Sequence, residues 1–106
     1  MSVINATSNG YVTLAPAMSG FYAYIHRIMF QCSAATTTIQ FYSYNGTTYT
    51  ALTGPLTYVV GTGLEILLQP GDYIFSSLNA GDSLVMNINM GLLAGTIGGL
   101  VDYYYA

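Results

Sequence analysis

Lysine is missing from this sequence altogether, and Arg27 is its only basic residue. A nucleic-acid backbone is bound by displacing counterions with Lys and Arg, so a chain of net charge −3 with one such residue is excluded as a direct nucleic-acid binder. Cysteine occurs once, as Cys32, which rules out an internal disulfide and reads as a buried, inert thiol. Glu and Lys together number one, so the mixture that favours helices is absent. No run approaches the ~20 apolar residues of a membrane-spanning helix, and the greasiest stretch, Leu64 to Leu68, contains Glu65. Neither nucleic acid nor membrane is expected as a partner. The opening Met1-Ser2-Val3-Ile4-Asn5 lacks the basic residues and apolar stretch of a signal peptide, so ordinary secretion is not indicated.

Charge of either sign is scarce. Arg27 and the acids Glu65, Asp72, Asp82 and Asp102 make up 5% of 106 residues, against about 25% in typical soluble domains. Size scaling gives roughly 5,700 Å² of folded surface and roughly 16,000 Å² unfolded, so one modest core can form but not two. Five charges then leave about one per 1,100 Å². Mixed charge is what keeps a small domain dispersed. What fills the space instead is Ser, Thr, Asn, Gly and eleven tyrosines, a side chain enriched where proteins meet. This composition favours a permanent oligomer or assembly subunit over a monomer with a polar, uncharged surface.

Thr, Tyr, Val, Ile and Phe dominate, with Gly, Asn, Asp and Pro punctuating at short intervals, the pattern of strands joined by turns. After an arm at residues 1–9, a first strand runs over Tyr11–Leu14, so residues 1–15 read as arm and first strand and 16–106 as the sandwich domain. A long strand over Phe21–Gln31 resists phasing. Its apolar residues fall on both parities, which implies that both faces are covered. Thr37–Tyr44 alternates, and Asn45-Gly46, both tolerant of positive φ, turns it into Thr47–Leu52. Shorter strands follow over Leu56–Val60, Leu64–Leu68 and Tyr73–Ser76, the last after a Pro70-Gly71-Asp72 turn. Ser83–Met90 alternates with Leu84, Met86, Ile88 and Met90 on one face. A glycine-rich connector leads to a final strand over Gly95–Tyr105, whose Gly98-Gly99 marks a bulge or a close approach of another backbone. The expected fold is all-β: a single-domain antiparallel β-sandwich or jelly roll of about eight strands.

Groups that could do chemistry are few. His26 and Cys32 on one strand lie roughly 20 Å apart at ~3.3 Å per residue, out of hydrogen-bond reach of each other. No Gly-x-Ser-x-Gly elbow is present. Asp72 and Asp82 follow glycines in turns, where an Asp caps backbone amides, and this outweighs a paired-carboxylate glycosidase. One His and one Cys do not make a transition-metal site, and calcium would need clustered carboxylates. No catalytic residue, metal site or cofactor is assigned, and the chain is not read as an enzyme. Tyr22 with Tyr24, Tyr42 with Tyr44, and Tyr103 to Tyr105 could alternatively form a sugar-stacking platform, although Trp, the usual residue for that purpose, is absent.

Thr38-Ile39-Gln40-Phe41-Tyr42-Ser43, Ala51-Leu52-Thr53-Gly54-Pro55, Gly81-Asp82-Ser83-Leu84-Val85-Met86-Asn87-Ile88 and the closing Gly98-Gly99-Leu100-Val101-Asp102-Tyr103-Tyr104 resemble stretches of small virion proteins of tailed bacteriophages, in particular capsid decoration or cement proteins. The resemblance spans residues 36–105. It implies a homotrimer on the capsid surface of the virion, made in the host cytoplasm, which binds across joints of the major capsid protein and stabilises the shell. On that reading Val3, Ile4 and Tyr11 are expected to anchor the arm, and Tyr22, Tyr24, Tyr103, Tyr104 and Tyr105 to make protomer contacts. The competing expectation is a tail, baseplate or fibre module that binds a host-surface glycan.

Overall fold

Branched and aromatic residues at alternate positions, cut by glycine turns, produce ten strands in the computed structural model, which describes residues 2–33, 36–69, 71–90 and 95–106. Met1, Pro70 of the expected turn and residues 91–94 of the glycine-rich connector lie outside the described residues. The strands are β1 (Ser2–Ala6), β2 (Gly10–Ala15), β3 (Ala23–Cys32), β4 (Thr36–Tyr44), β5 (Tyr49–Ala51), β6 (Leu56–Val59), β7 (Gly63–Leu67), β8 (Phe75–Ser76), β9 (Ser83–Asn89) and β10 (Ile97–Tyr105). Among the described residues no helix is long and apolar enough to cross a membrane.

Pairing is nested, first strand with last. β1 pairs with β10, β2 with β9, β3 with β7 and β8, and β4 with β5 and β6, all antiparallel. Two further ladders, β10 with β3 and β9 with β4, gather these pairs into sheets. The first sheet has the order β1-β10-β3 with β7 and β8 sharing the far edge; the second has β2-β9-β4 with β5 and β6 sharing its far edge. Each shared edge is one strand broken in two, so the sandwich is an eight-strand jelly roll, a long hairpin rolled over itself. Thr53-Gly54-Pro55 makes the break between β5 and β6, because Pro has no N–H for a ladder.

The inner faces supply the core. Ile4, Leu14, Ile25, Ile28, Ile39, Phe41, Met86, Ile88, Ile97 and Val101 are buried, and Phe41 stacks on Phe75 with ring centroids 4.6 Å apart. The surface measures 5,552 Å², close to the area that size scaling gives. Burying a side chain such as Phe41 or Ile88 contributes roughly 1.5–3 kcal/mol each, which is what offsets the cost of ordering so many short strands.

Two expectations are corrected. Residues 2–6, expected in a projecting arm, form the edge strand β1 with Ile4 and Ala6 turned inward. The apolar side chain at alternate positions lets them complete the first sheet rather than reach outward. The long strand β3 fits neither parity because it carries a bulge: Arg27 pairs with Asp102 and Ile25 with Tyr103, which leaves His26 as the extra residue. Ala23 and Ile25 face inward before the bulge, and Ile28, Phe30 and Cys32 after it. A second bulge at Leu14 in β2 puts both Leu14 and Ala15 in the core. The Asn45-Gly46 hairpin forms as expected, but only Gly46 takes positive φ (97°). Asn45 instead accepts hydrogen bonds at its Oδ1 from the N–H groups of Thr47 (2.9 Å) and Thr48 (2.7 Å).

Candidate interaction surfaces

His26, Cys32 and Asp82 are buried within the sandwich. His26, the bulged residue, has Nδ1 3.1 Å from the Leu68 carbonyl oxygen, and its ring lies 5.8 Å from that of Tyr104. Cys32 ends the same strand, buried. Burial pushes its thiol pKa up, and the nearby Thr37 hydroxyl offsets this only in part. Among the described residues that hydroxyl meets no partner at full hydrogen-bond geometry. Asp82 is buried, accepts from Ser43 Oγ at 3.0 Å and from Asn79 Nδ2 at 3.3 Å, and so clamps the turn before β9 onto β4. Among the described residues no three His, Cys, Asp or Glu side chains gather at one point.

The two outer faces differ in kind. Register places three ionic side chains on the outside of the first sheet. Arg27 lies opposite both Asp102 and Leu67, and Glu65 lies opposite Met29. Arg27 Nη1 meets Asp102 Oδ2 at 3.5 Å, the arginine exposed and the aspartate half-buried. Around them stand Val3, Leu100, Met29 and Leu67, of which Val3 is 73% and Leu67 50% exposed. Between these rows lies a depression of about 560 Å³ with Gly63, Gly98 and Gly99 in its walls. Gly99 is required there: a Cβ would overlap the Met29 carbonyl oxygen and come within 2.6 Å of Phe30 Cα. This is the close approach anticipated at Gly98-Gly99. At the end of the face nearest Asp72, Tyr24 stacks on Tyr104 at 5.1 Å and 12°, and Tyr73 tilts against Tyr24. The Tyr104 hydroxyl donates to the Asp72 carbonyl oxygen at 3.4 Å.

The outer face of the second sheet carries no ion. Successive cross-strand rungs present Thr57, Thr38 and Asn89; then Gln40, Asn87 and Tyr11; then Ala51, Tyr42 and Val85. Tyr44, Tyr49 and Tyr11 form a three-ring stack, with centroid separations of 4.1 and 3.9 Å and interplanar angles of 15°. Tyr42 meets Tyr11 and Tyr49 edge-on at 5.7 and 6.0 Å. Packing pushes the Tyr49 pKa upward, and Tyr44 adds to the shift. Beside this stack a shallow depression of about 170 Å³ is lined by Thr38, Gln40, Tyr42, Pro55, Asn87 and Asn89.

The residues expected to make contacts therefore scatter. Val3, Tyr24 and Tyr104 share the outside of the first sheet, and Tyr11 belongs to the second. Tyr22 is exposed and exchanges backbone hydrogen bonds of 3.0 and 3.1 Å with Ala106. Ile4 is 1% exposed and cannot anchor to anything but its own core. Tyr103 and Tyr105 continue the inward alternation of Ile97 and Val101 along β10 and pack against that core, and the Tyr105 hydroxyl donates to the Pro16 carbonyl oxygen at 2.6 Å. Sequence reasoning overlooked Tyr49 and the Gln40–Asn87 rung. The alternation of β4 and β9 put each residue on a consistent face, but nothing local says that these two strands are neighbours. No family model, curated protein or solved structure gives a significant match to this chain.

Proposed function

We propose that the chain is a structural virion protein of the capsid decoration type, a self-associating cement subunit that binds across joints of the major capsid shell. One observation carries this reading: the state of the surface. Of the five charged side chains, Asp82 is buried and Arg27 is paired with Asp102, which leaves Glu65 and Asp72 as the remaining exposed ions on 5,552 Å². Against them stand exposed large apolar side chains, among them Val3, Phe21, Val59, Val60, Leu67 and Leu78. A domain so composed gains by covering its surface with protein. Several weak joints engaged at once would hold each copy in place, because every further joint forms at high local concentration.

Light scattering on the purified chain tests self-association. A trimer is expected, and a monomer at every concentration overturns it. Location is tested by antibody labelling of virions assembled from the chain's own genome. Label over the head surface is expected, whereas label on the tail, or none, overturns the cementing role.

A further inference from the structure

We propose that the outer face of the second sheet binds a neutral carbohydrate in the shallow depression formed by Gln40, Asn87, Thr38 and Tyr42. The inference goes beyond the cementing role and does not depend on it, since the exposed apolar and ionic residues on the first sheet lie on the opposite side of the sandwich.

The chemistry of the depression selects the ligand class. A sugar offers hydroxyls that donate and accept at once, and it is matched by groups that do the same: carboxamides and hydroxyls. Gln40, Asn87, Thr38 and Asn89 are of this kind, and the face they occupy has no ionic side chain to recruit a phosphate, sulfate or carboxylate. Directly opposed residues on antiparallel strands hold their Cβ atoms about 5 Å apart, on the scale of one pyranose ring. The 170 Å³ depression is likewise sized for a single ring rather than for a protein side-chain cluster. A protein partner would be expected to meet an apolar centre with a polar rim, and here the centre is polar.

The polar groups are also pre-set. Gln40 Oε1 accepts from the Tyr42 hydroxyl at 2.8 Å, and its Nε2 donates to the Thr53 carbonyl oxygen at 2.8 Å. A flipped amide would set its oxygen against the Thr53 carbonyl oxygen and lose that bond, and each end keeps one hydrogen-bonding position for a ligand. Such fixed orientation lowers the ordering cost of binding. Pro55 and the ring of Tyr42 line the depression with apolar surface, against which the C–H face of a sugar ring can pack.

The fluorescently labelled chain, applied to an array of neutral, sialylated and sulfated glycans, provides the test. Binding to neutral saccharides is expected, competed by the free saccharide and unchanged between low and high salt. Asn87→Ala and Gln40→Ala should each weaken it about five- to tenfold, the consequence of one or two lost hydrogen bonds. Should Gln40→Ala lose its fold together with the Thr53 contact, Asn87→Ala stands alone, with circular dichroism confirming an intact sandwich. Absence of binding to every neutral glycan overturns the proposal, as does binding confined to charged ones. If either substitution changes the oligomeric state by light scattering, the face is a protein contact and the proposal likewise fails. A monomer that still binds saccharide would sink the cementing role and leave this site standing.

Discussion

Ile4 and Val3 are neighbours in sequence with opposite fates in the fold, and this contrast can be measured. Ile4 points into the sandwich at 1% exposure, while Val3 lies outside at 73%. Ile4→Ala removes three buried carbons, a transfer loss of about 2.4 kcal/mol at ~0.8 kcal/mol each. A residual cavity adds to this, less than in a central strand because β1 is an edge and can settle inward, so about 3 kcal/mol is expected in total. With unfolding entropy near 2.1 cal/mol/K per residue, 106 residues give roughly 0.22 kcal/mol/K. The melting temperature should then fall by about 13 °C (3 divided by 0.22). Val3→Ala should change stability by less than about 0.5 kcal/mol. Thermal and urea unfolding followed by circular dichroism would read both values. If residues 2–6 were a free arm, the two variants would melt alike and like the parent. A shift for Ile4→Ala of under ~3 °C would refute the placement of β1.

Thr37→Val should stabilise the protein by about 1 kcal/mol in urea titrations, since it replaces a buried hydroxyl that has no hydrogen-bond partner among the described residues with a methyl group of the same shape. Gly99→Ala forces β10 away from β3 and should cost about 3 kcal/mol, with a lowered yield of folded protein, while Gly54→Ala, where a Cβ meets nothing within 4 Å, should be nearly neutral. Burial raises the pKa values of both Cys32 and Tyr58, and Cys32 adds to the shift of Tyr58. The unfolded chain therefore gives up these protons first, and the stability held below about pH 9 should be lost progressively as pH rises towards the folded values. Melting temperatures recorded from pH 7 to pH 11 would show the decline; a flat profile contradicts the burial of these two groups.

Much of the fold could be read because its information is local. Thr37–Tyr44 alternates over a whole strand, and β4 covers Thr36–Tyr44. Leu84, Met86, Ile88 and Met90 are all buried as their spacing indicates. What escaped has physical causes. The five-residue β1 is too short for alternation to register against an arm, and its pairing with β10 is about as distant in the chain as a pairing can be. The phase of β3 was illegible because the His26 bulge switches inward positions from odd to even numbers midway, so apolar residues on both parities signal a bulge and not two covered faces. Tyr103 and Tyr105 look like a surface run in the sequence but prove half-buried, because they continue the inward alternation of Ile97 and Val101 along β10. The uncharged face was hidden for a third reason. Gln40 and Asn87 are 47 positions apart, and no local rule brings them to one rung.

Nested pairing has a consequence for how the molecule is made. Strand β1 is synthesised before all nine other strands of the sandwich, yet its hydrogen-bonding partner β10 comes after them. The first sheet cannot close until β10 has been made, so β1 must wait for nearly the whole domain. Long loops must shut before their contacts yield anything, which places folding in the slow regime of milliseconds to seconds. Throughout that interval the strands destined for the interior stay bare, with almost no like-charge repulsion to hold neighbouring nascent chains apart, so yield in the cell should depend on chaperone supply and synthesis rate more than on the final stability.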